Sequence, residues 1–121
     1  MDEVTKRILV VEDNILIAMD VEDLIAEQGC TPVGPVATVA DGLEAVRNTD
    51  LDGAVLDVNL GDERVWPIAE LLAQHGVPFV LTTGYSDAEI PDNFMSRPRL
   101  EKPVDAGRLA AALADLGIID R

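Results

Sequence analysis

The sequence predicts an α/β fold, a (βα)5 doubly wound parallel sheet. Short, continuous apolar runs alternate along the chain with longer stretches whose apolar residues recur at helical spacing. Continuous apolar runs are typical of strands buried on both faces, and such strands require a parallel sheet with helices on each side. The 121 residues are enough for one domain with a single core of moderate size.

The first half of the chain predicts two strands and two helices. Residues 8–11 form an apolar strand, and residues 14–28 carry a helical pattern that Gly29 ends. Residues 33–36 look extended, although prolines flank or interrupt them. Thr38, with an aspartate three positions later, resembles a capping box and predicts the start of the second helix.

The second half repeats the pattern with one weak segment. An apolar strand at 53–57 is followed by a turn, a helix over 65–74 and another strand at 78–82. Two prolines limit any helix between residues 86 and 98, so we expect the fourth helix to be short or irregular. A brief fifth strand and a last helix, which Asp105 caps, complete the repeat.

The prolines set the order of the strands. Pro32 and Pro35 in the second strand, and Pro98 beside the fifth, cannot donate to a central ladder, so both strands belong at edges. The resulting order is 2-1-3-4-5. Ligands of such sheets bind beyond the carboxyl ends of the strands, beside the point where the winding reverses. That point lies between the first and third strands, and both of these end in acidic residues.

Charge and composition exclude several classes of function. The 23 acidic and 9 basic residues give a net charge of −14, which argues against nucleic-acid binding because that needs a basic face. No apolar stretch approaches the ~20 residues of a membrane helix, and the acidic first residues are unlike a signal peptide. The single cysteine, Cys30, suits a buried hydrophobic position in a reducing cytoplasm.

Side chains at four strand ends suit a Mg²⁺-dependent phosphate site. The first strand ends in Glu12 and Asp13, the third in Asp57, the fourth in Thr83 and the fifth in Lys102. Mg²⁺ prefers hard oxygen ligands in an octahedron and usually keeps several waters. We therefore expect Asp13 and Asp57 to bind it directly, and Glu12 to bind it directly or through water.

An oxygen of Asp57 can then attack a phosphoryl donor in line and form an aspartyl phosphate. Lys102, the hydroxyl of Thr83 and the metal would hold the equatorial oxygens, so catalysis is mainly positioning and charge stabilisation. The backbone carbonyl of Asn59 is close enough in sequence to add a metal ligand. Without metal the carboxylates repel one another, and at least one carboxyl pKa should rise.

Together these residues resemble the site of a response-regulator receiver domain from two-component signalling, over essentially the whole chain. The resemblance implies the flavodoxin-like winding and a role for each matching residue. The matches are the acidic pair at Glu12 and Asp13, the phosphoacceptor at Asp57, the metal carbonyl at Asn59, the switch hydroxyl at Thr83 and the lysine at Lys102.

Residues 78–85, PFVLTTGY, resemble the PFxFATGY motif of an atypical receiver subgroup. Leu81 and Thr82 depart from the second Phe and the Ala of that motif. The resemblance implies a stand-alone regulator linked to HWE/HisKA2-type histidine kinases of alphaproteobacteria.

The switch of this chain is expected to differ from that of ordinary receivers. Those have a Tyr or Phe three residues before the lysine, whereas this chain and the subgroup lack that aromatic; here the position holds Arg99. We expect the signal to be read through ordering of the segment after Thr83, with Tyr85 as the aromatic that moves. Gly84 is expected to leave the acyl phosphate open to water on one side.

The implied function is that of a single-domain response regulator over residues 1–121, without an output domain. It would accept a phosphoryl group on Asp57 from a sensor histidine kinase, with Mg²⁺ as cofactor, in the cytoplasm. Its output would run through contacts with a downstream protein, and it would catalyse only its own phosphorylation and dephosphorylation. A monomer is expected, with a homodimer left open.

Other functions remain alternatives. A pseudo-receiver that acts only as a binding module is one, since shape alone does not guarantee chemistry. A Mg²⁺-dependent phosphohydrolase of the haloacid-dehalogenase type is disfavoured, because it needs a second Asp where this chain has Asn59. A flavodoxin is disfavoured because the acidic residues after the first strand would repel a phosphate.

Overall fold

A five-stranded parallel sheet lies at the centre of the computed structural model, which describes residues 5–84 and 90–120. The strands, in chain order, are β1 (Arg7–Val11), β2 (Thr31–Val36), β3 (Gly53–Asp57), β4 (Asn59–Leu60), β5 (Glu63–Arg64), β6 (Phe79–Thr83) and β7 (Arg99–Glu101). The sheet has the order β2-β1-β3-β6-β7, and β4 and β5 form a separate antiparallel hairpin. This confirms the predicted order 2-1-3-4-5, because the hairpin only changes the numbering.

The described chain has four α-helices, of which three connect strands and the last follows β7. They are α1 (Ile15–Glu27), α2 (Val39–Asn48), α3 (Trp66–Gln74) and α4 (Ala106–Asp115). The connection from β6 to β7 contains a short 3₁₀ turn, Asp92–Phe94, within its described residues. This agrees with the prediction of a short or irregular fourth helix. No helix within residues 5–84 and 90–120 is both long and apolar enough to span a bilayer.

The core has two halves, one on each face of the sheet. Alternate residues of the central strands point to opposite faces, so Leu9 and Leu56 join the half covered by α2 and α3. Ile8 and Val55 join the half covered by α1 and α4. The continuous apolar runs of the sequence therefore reflect burial on both faces, as the doubly wound fold requires.

The predicted helix ends match the observed caps. The side chain of Asn14 accepts hydrogen bonds from two amides of the first turn of α1, and the hydroxyl of Thr38 accepts one from Asp41 at 3.1 Å. Asp105 caps α4 by accepting from Arg108 at 2.9 Å. Gly29 follows α1 with a φ of +80°, a conformation that glycine adopts without a steric penalty.

The hairpin of β4 and β5 is the main feature that the sequence did not reveal. Residues 61–63 were expected to form only a turn, whereas Asn59 pairs with Arg64 and Leu60 pairs with Glu63 around it. Strands of two residues show no periodic pattern, so apolar spacing could not indicate them.

Helices α2 and α3 pack through a glycine, and this contact supports a prediction about stability. A Cβ at Gly42 would lie 2.3 Å from Cδ1 and 2.9 Å from Cγ1 of the fully buried Ile68. Gly42→Ala is expected to lower the free energy of unfolding by about 1 kcal/mol, because overpacking of about 1–3 kcal/mol outweighs the better helix propensity of alanine. Urea unfolding measures the change.

The matched test of this contact is Ile68→Val, which removes the Cδ1 atom. The double variant should be destabilised by less than the sum of the two single changes, since the shorter side chain makes room for the new methyl group. Additive losses would show that the two residues do not clash.

Candidate functional site

Three carboxylates meet beyond the carboxyl ends of β1 and β3. One oxygen from each of Glu12, Asp13 and Asp57 lies within 4.8 Å of the others. The two strands are neighbours in register, with Val11 opposite Leu56, so the residues that follow them are brought side by side. Glu12 and Asp57 are 4% and 3% exposed, whereas Asp13 is exposed. The predicted acidic group is therefore assembled by the sheet itself.

Lys102 joins this group from the end of β7. Its ammonium lies 2.9 Å from Oε1 of Glu12 and 3.0 Å from Oδ2 of Asp57. Its backbone N–H donates to the carbonyl oxygen of Thr83 at 2.9 Å, which fixes the residue against the end of β6. One cation thus bridges the two buried carboxylates.

The negative charge of Asp57 is only partly compensated, because the residue is buried and lies beside the negative charge of Glu12. Burial raises the pKa of Asp57 to about 7; the hydrogen bond from Lys102 opposes this rise, and the negative charge of Glu12 adds to it. Burial alone would lower the pKa of Lys102, but the hydrogen bonds it donates to Glu12 and Asp57 outweigh that effect and raise it. Lys102 therefore stays protonated, while the pKa of Asp57 lies close to neutral pH.

The residues present fit a divalent cation such as Mg²⁺. Among residues 5–84 and 90–120, three carboxylates lie together beside one ammonium, so these groups carry an excess of negative charge at short range. All donors in the group are oxygen atoms, the ligand type that Mg²⁺ prefers. Asn59 lies two residues after Asp57, and its backbone N–H donates to Oδ1 of Asp57 at 3.2 Å.

Thr83 and Gly84 lie at the end of β6, between Asp57 on β3 and Lys102 after β7 in the order of the strands. With Glu101 and Lys102 they line an open cavity of about 340 Å³ among the described residues. This places the predicted switch hydroxyl next to the lysine. Tyr85, the predicted mobile aromatic, lies outside the described residues.

Arg99 is not part of this assembly in the described chain. It lies exposed on β7, and its guanidinium donates to the carbonyl oxygen of Met95 at 3.3 Å. The position that holds an aromatic in ordinary receivers is therefore occupied by a surface cation.

An exposed apolar group at the start of α1 was missed by the sequence reasoning. Ile15, Leu16 and Met19 are 60%, 70% and 52% exposed, while Ala18 and Ile25 of the same helix are buried. The helical pattern of the segment predicted a buried face, but the unusual signal is a second set of apolar residues on the opposite face. Exposed apolar patches commonly mark contacts with other proteins.

Comparison with known proteins identifies the family, although no family model matches the chain. The solution structure of SdrG from Sphingomonas melonis Fr1 is 47% identical, with a TM-score of 0.85, over 93% of this chain and 96% of that one. The chain belongs to the response-regulator receiver family. SdrG of Pseudomonas melonis Fr1 in its BeF3-activated conformation gives 46% identity and a TM-score of 0.76 over the same shares.

Two curated regulators are more distant relatives of this receiver. The transcriptional regulatory protein PdtaR of Mycobacterium tuberculosis is 28% identical over 97% of this chain and 53% of its own length. The phyllosphere-induced regulator PhyR of Methylorubrum extorquens is 26% identical over 93% of this chain and 43% of its length. The chain spans about half the length of these relatives. Such regulators are signalling proteins rather than conventional enzymes.

The raised pKa of Asp57 predicts how stability changes with pH in the metal-free receiver. The folded-state pKa of about 7 lies above the ordinary value of 3.8, so the folded protein holds an extra proton between these values. Stability should therefore fall as the pH rises from about 4 to about 7. Asp57→Asn cannot ionise, and we expect it to exceed the wild type by on the order of 2 kcal/mol at pH 8 but to approach it near pH 4.

Urea unfolding in the presence of a chelator measures this difference. Asp62→Asn is the control, because Asp62 is an exposed carboxylate on the hairpin turn, and its effect should stay within about 0.5 kcal/mol at both pH values. A gap between wild type and Asp57→Asn that does not change with pH would contradict the assignment.

Proposed function

We propose that this receiver accepts a phosphoryl group on Asp57 from a sensor histidine kinase, in a reaction that depends on Mg²⁺. The observation that carries the proposal is the meeting of three carboxylates with the ammonium of Lys102, which lies 3.0 Å from Oδ2 of Asp57. Of these groups only Asp57 is both the last residue of a central strand and in contact with the lysine.

Asp57 is the nucleophile of the proposed reaction. One of its carboxylate oxygens forms a bond to phosphorus while the bond between phosphorus and the histidine nitrogen of the donor breaks, and the imidazole leaves with the bonding electron pair. Mg²⁺, when bound, neutralises the carboxylates and the incoming phosphoryl oxygens. Asp13, Asp57 and the carbonyl of Asn59 would hold it directly, with Glu12 bound directly or through water.

Lys102 and Thr83 stabilise the transferred group. The ammonium of Lys102 is already held beside Asp57, so it can pair with a phosphoryl oxygen without a large rearrangement. The hydroxyl of Thr83, at the neighbouring strand end, can donate to another oxygen. Catalysis by these side chains is positioning and charge stabilisation rather than proton transfer.

The exposed start of α1 supports a protein as the donor. Ile15 and Leu16 lie two and three residues after Asp13, so a partner that covers them lies next to the acidic group. Burial of such side chains contributes roughly 1.5–3 kcal/mol each when complete. The PFVLTTGY segment supports a kinase of the HWE/HisKA2 type, and the setting would be the cytoplasm.

A phosphorylated receiver of this kind would signal by changing its contacts with a downstream protein. SdrG, its relative, adopts a BeF3-activated conformation, and beryllofluoride imitates an acyl phosphate. We extend that behaviour to this chain as part of the proposal. The segment after Thr83 is the proposed reporter, with Tyr85 as the residue that moves.

The proposed reporter segment can be tested by nuclear magnetic resonance. Beryllofluoride with Mg²⁺ should shift the amide resonances of residues 84–90 in the wild type. Tyr85→Ala should reduce these shifts by at least about half while leaving those of the acidic group in place, since the aromatic would couple the segment to the site. Unchanged shifts in the variant would reject Tyr85 as the moving residue.

The phosphoacceptor can be tested by intact-protein mass after incubation with a small phosphodonor. Wild type should gain one phosphoryl group only when Mg²⁺ is present, and Asp57→Asn should gain none. Asp62→Asn, which removes an exposed carboxylate five residues away, is the matched control and should react like the wild type.

The other outcomes separate the alternatives. Absence of both a phosphoryl adduct and beryllofluoride-dependent shifts in the wild type would favour a pseudo-receiver that only binds proteins. Continuous release of phosphate over many turnovers of the phosphodonor would favour a phosphohydrolase.

A further inference from the structure

The hairpin of β4 and β5 touches the acidic group at two points. The N–H of Asn59 donates to Oδ1 of Asp57 at 3.2 Å. At the turn, a Cβ on Gly61 would lie 3.8 Å from Oδ2 of Asp13, so the backbone there stands beside that carboxylate. The placement of the hairpin therefore fixes what surrounds two of the three carboxylates.

Pairing within the hairpin is too short to hold it rigidly by itself. Each strand has two residues, and an isolated two-stranded hairpin is at best marginally stable in water. Its base is secured, because the N–H of Val65 donates to the carbonyl oxygen of Val58 at 3.2 Å and both side chains are fully buried. The outer strand β5 is exposed and needs another attachment.

Glu63 supplies that attachment by reaching the first residue of α2. Its Oε1 accepts a hydrogen bond at 3.1 Å from the N–H of Val39, which lies 24 residues away in sequence. The first amides of a helix have no partner within the helix, and a carboxylate near them is also favoured by the helix dipole. Thr38 caps a different amide of the same helix, that of Asp41.

We propose that Glu63 is a positioning residue for the metal site. By holding β5 on the start of α2, it keeps the hairpin where Asn59 meets Asp57 and where the turn meets Asp13. Mg²⁺ then enters a site whose surroundings are already ordered, so less conformational entropy is lost on binding. This inference rests on the proposed function, since it takes the acidic group to be the Mg²⁺ site.

The test is a titration with MgCl₂ followed by amide resonances, on wild type, Glu63→Ala and Glu63→Gln. Glu63→Ala should raise the Kd for Mg²⁺ about fivefold, below the roughly tenfold to hundredfold effect of losing a direct partner of a metal ligand, because Glu63 acts through the hairpin. Glu63→Gln keeps an oxygen that can accept from Val39, so its Kd should stay within about twofold of the wild type. The Glu63→Gln variant therefore separates the effect of the hydrogen bond on the Kd from the effect of the charge.

Two further variants test whether the effect of Glu63→Ala comes from a general loss of stability or from the loss of a surface charge. Thr38→Ala removes the other cap of α2 without touching the hairpin, so it should lower Tm but leave the Kd unchanged. Asp62→Asn removes a charge from the hairpin turn and should also leave the Kd within about twofold, since screened surface charges interact weakly.

The outcomes that overturn the inference are specific. A wild-type Kd in Glu63→Ala, an equal loss of affinity in Thr38→Ala, or an equal loss in Glu63→Gln would each reject a positioning role. In those cases the wild type still binds Mg²⁺ and the proposed function stands. Failure of the wild type to bind Mg²⁺ would instead overturn the proposed function, and the inference with it.

Discussion

The bridge that Lys102 makes between Glu12 and Asp57 is the constraint on which the rest of the site depends. Two buried carboxylates on neighbouring strands would be strongly destabilising without a cation in contact with both. The lysine can reach them only because β1, β3, β6 and β7 run parallel and end at one edge of the sheet. The ion pair therefore depends on the order of the strands, and the burial of the two carboxylates depends on the ion pair.

The ion pair leaves part of the negative charge of the acidic group uncompensated, and this excess charge is what the proposed phosphate chemistry would use. Burial raises the pKa of Asp57 to about 7, and the negative charge of Glu12 adds to the rise. One ammonium cannot neutralise three carboxylates, and the remaining negative charge suits the group to the proposed divalent cation. A second lysine would stabilise the metal-free receiver but would compete with the metal. The stability lost at the buried carboxylates is offset by the burial of apolar residues on both faces of the sheet.

The sequence predicted those features that a local pattern of residues specifies by itself. A continuous apolar run that ends in an acid, as at Asp57, specifies a buried strand and its polar end, and parallel geometry then gathers such ends. The contact from Glu63 to Val39 joins residues 24 apart through a non-periodic loop, so spacing could not indicate it. Ile15 and Leu16 fit a helical pattern as well as Ala18 does, and only the packed structure shows which of them face solvent.

Residues 12–14 connect the exposed first turn of α1 to the acidic group. Oε2 of Glu12 accepts from the N–H of Asn14 at 3.1 Å, and the side chain of Asn14 in turn caps α1. The first turn of α1, with its exposed apolar side chains, is thereby fixed relative to the carboxylates. A partner that packs on that turn needs no contact with Asp57 to be aligned with it. Under the proposed function, affinity for a partner and reactivity toward phosphorus could therefore change independently, because apolar area would govern the first and the charge balance around Lys102 the second.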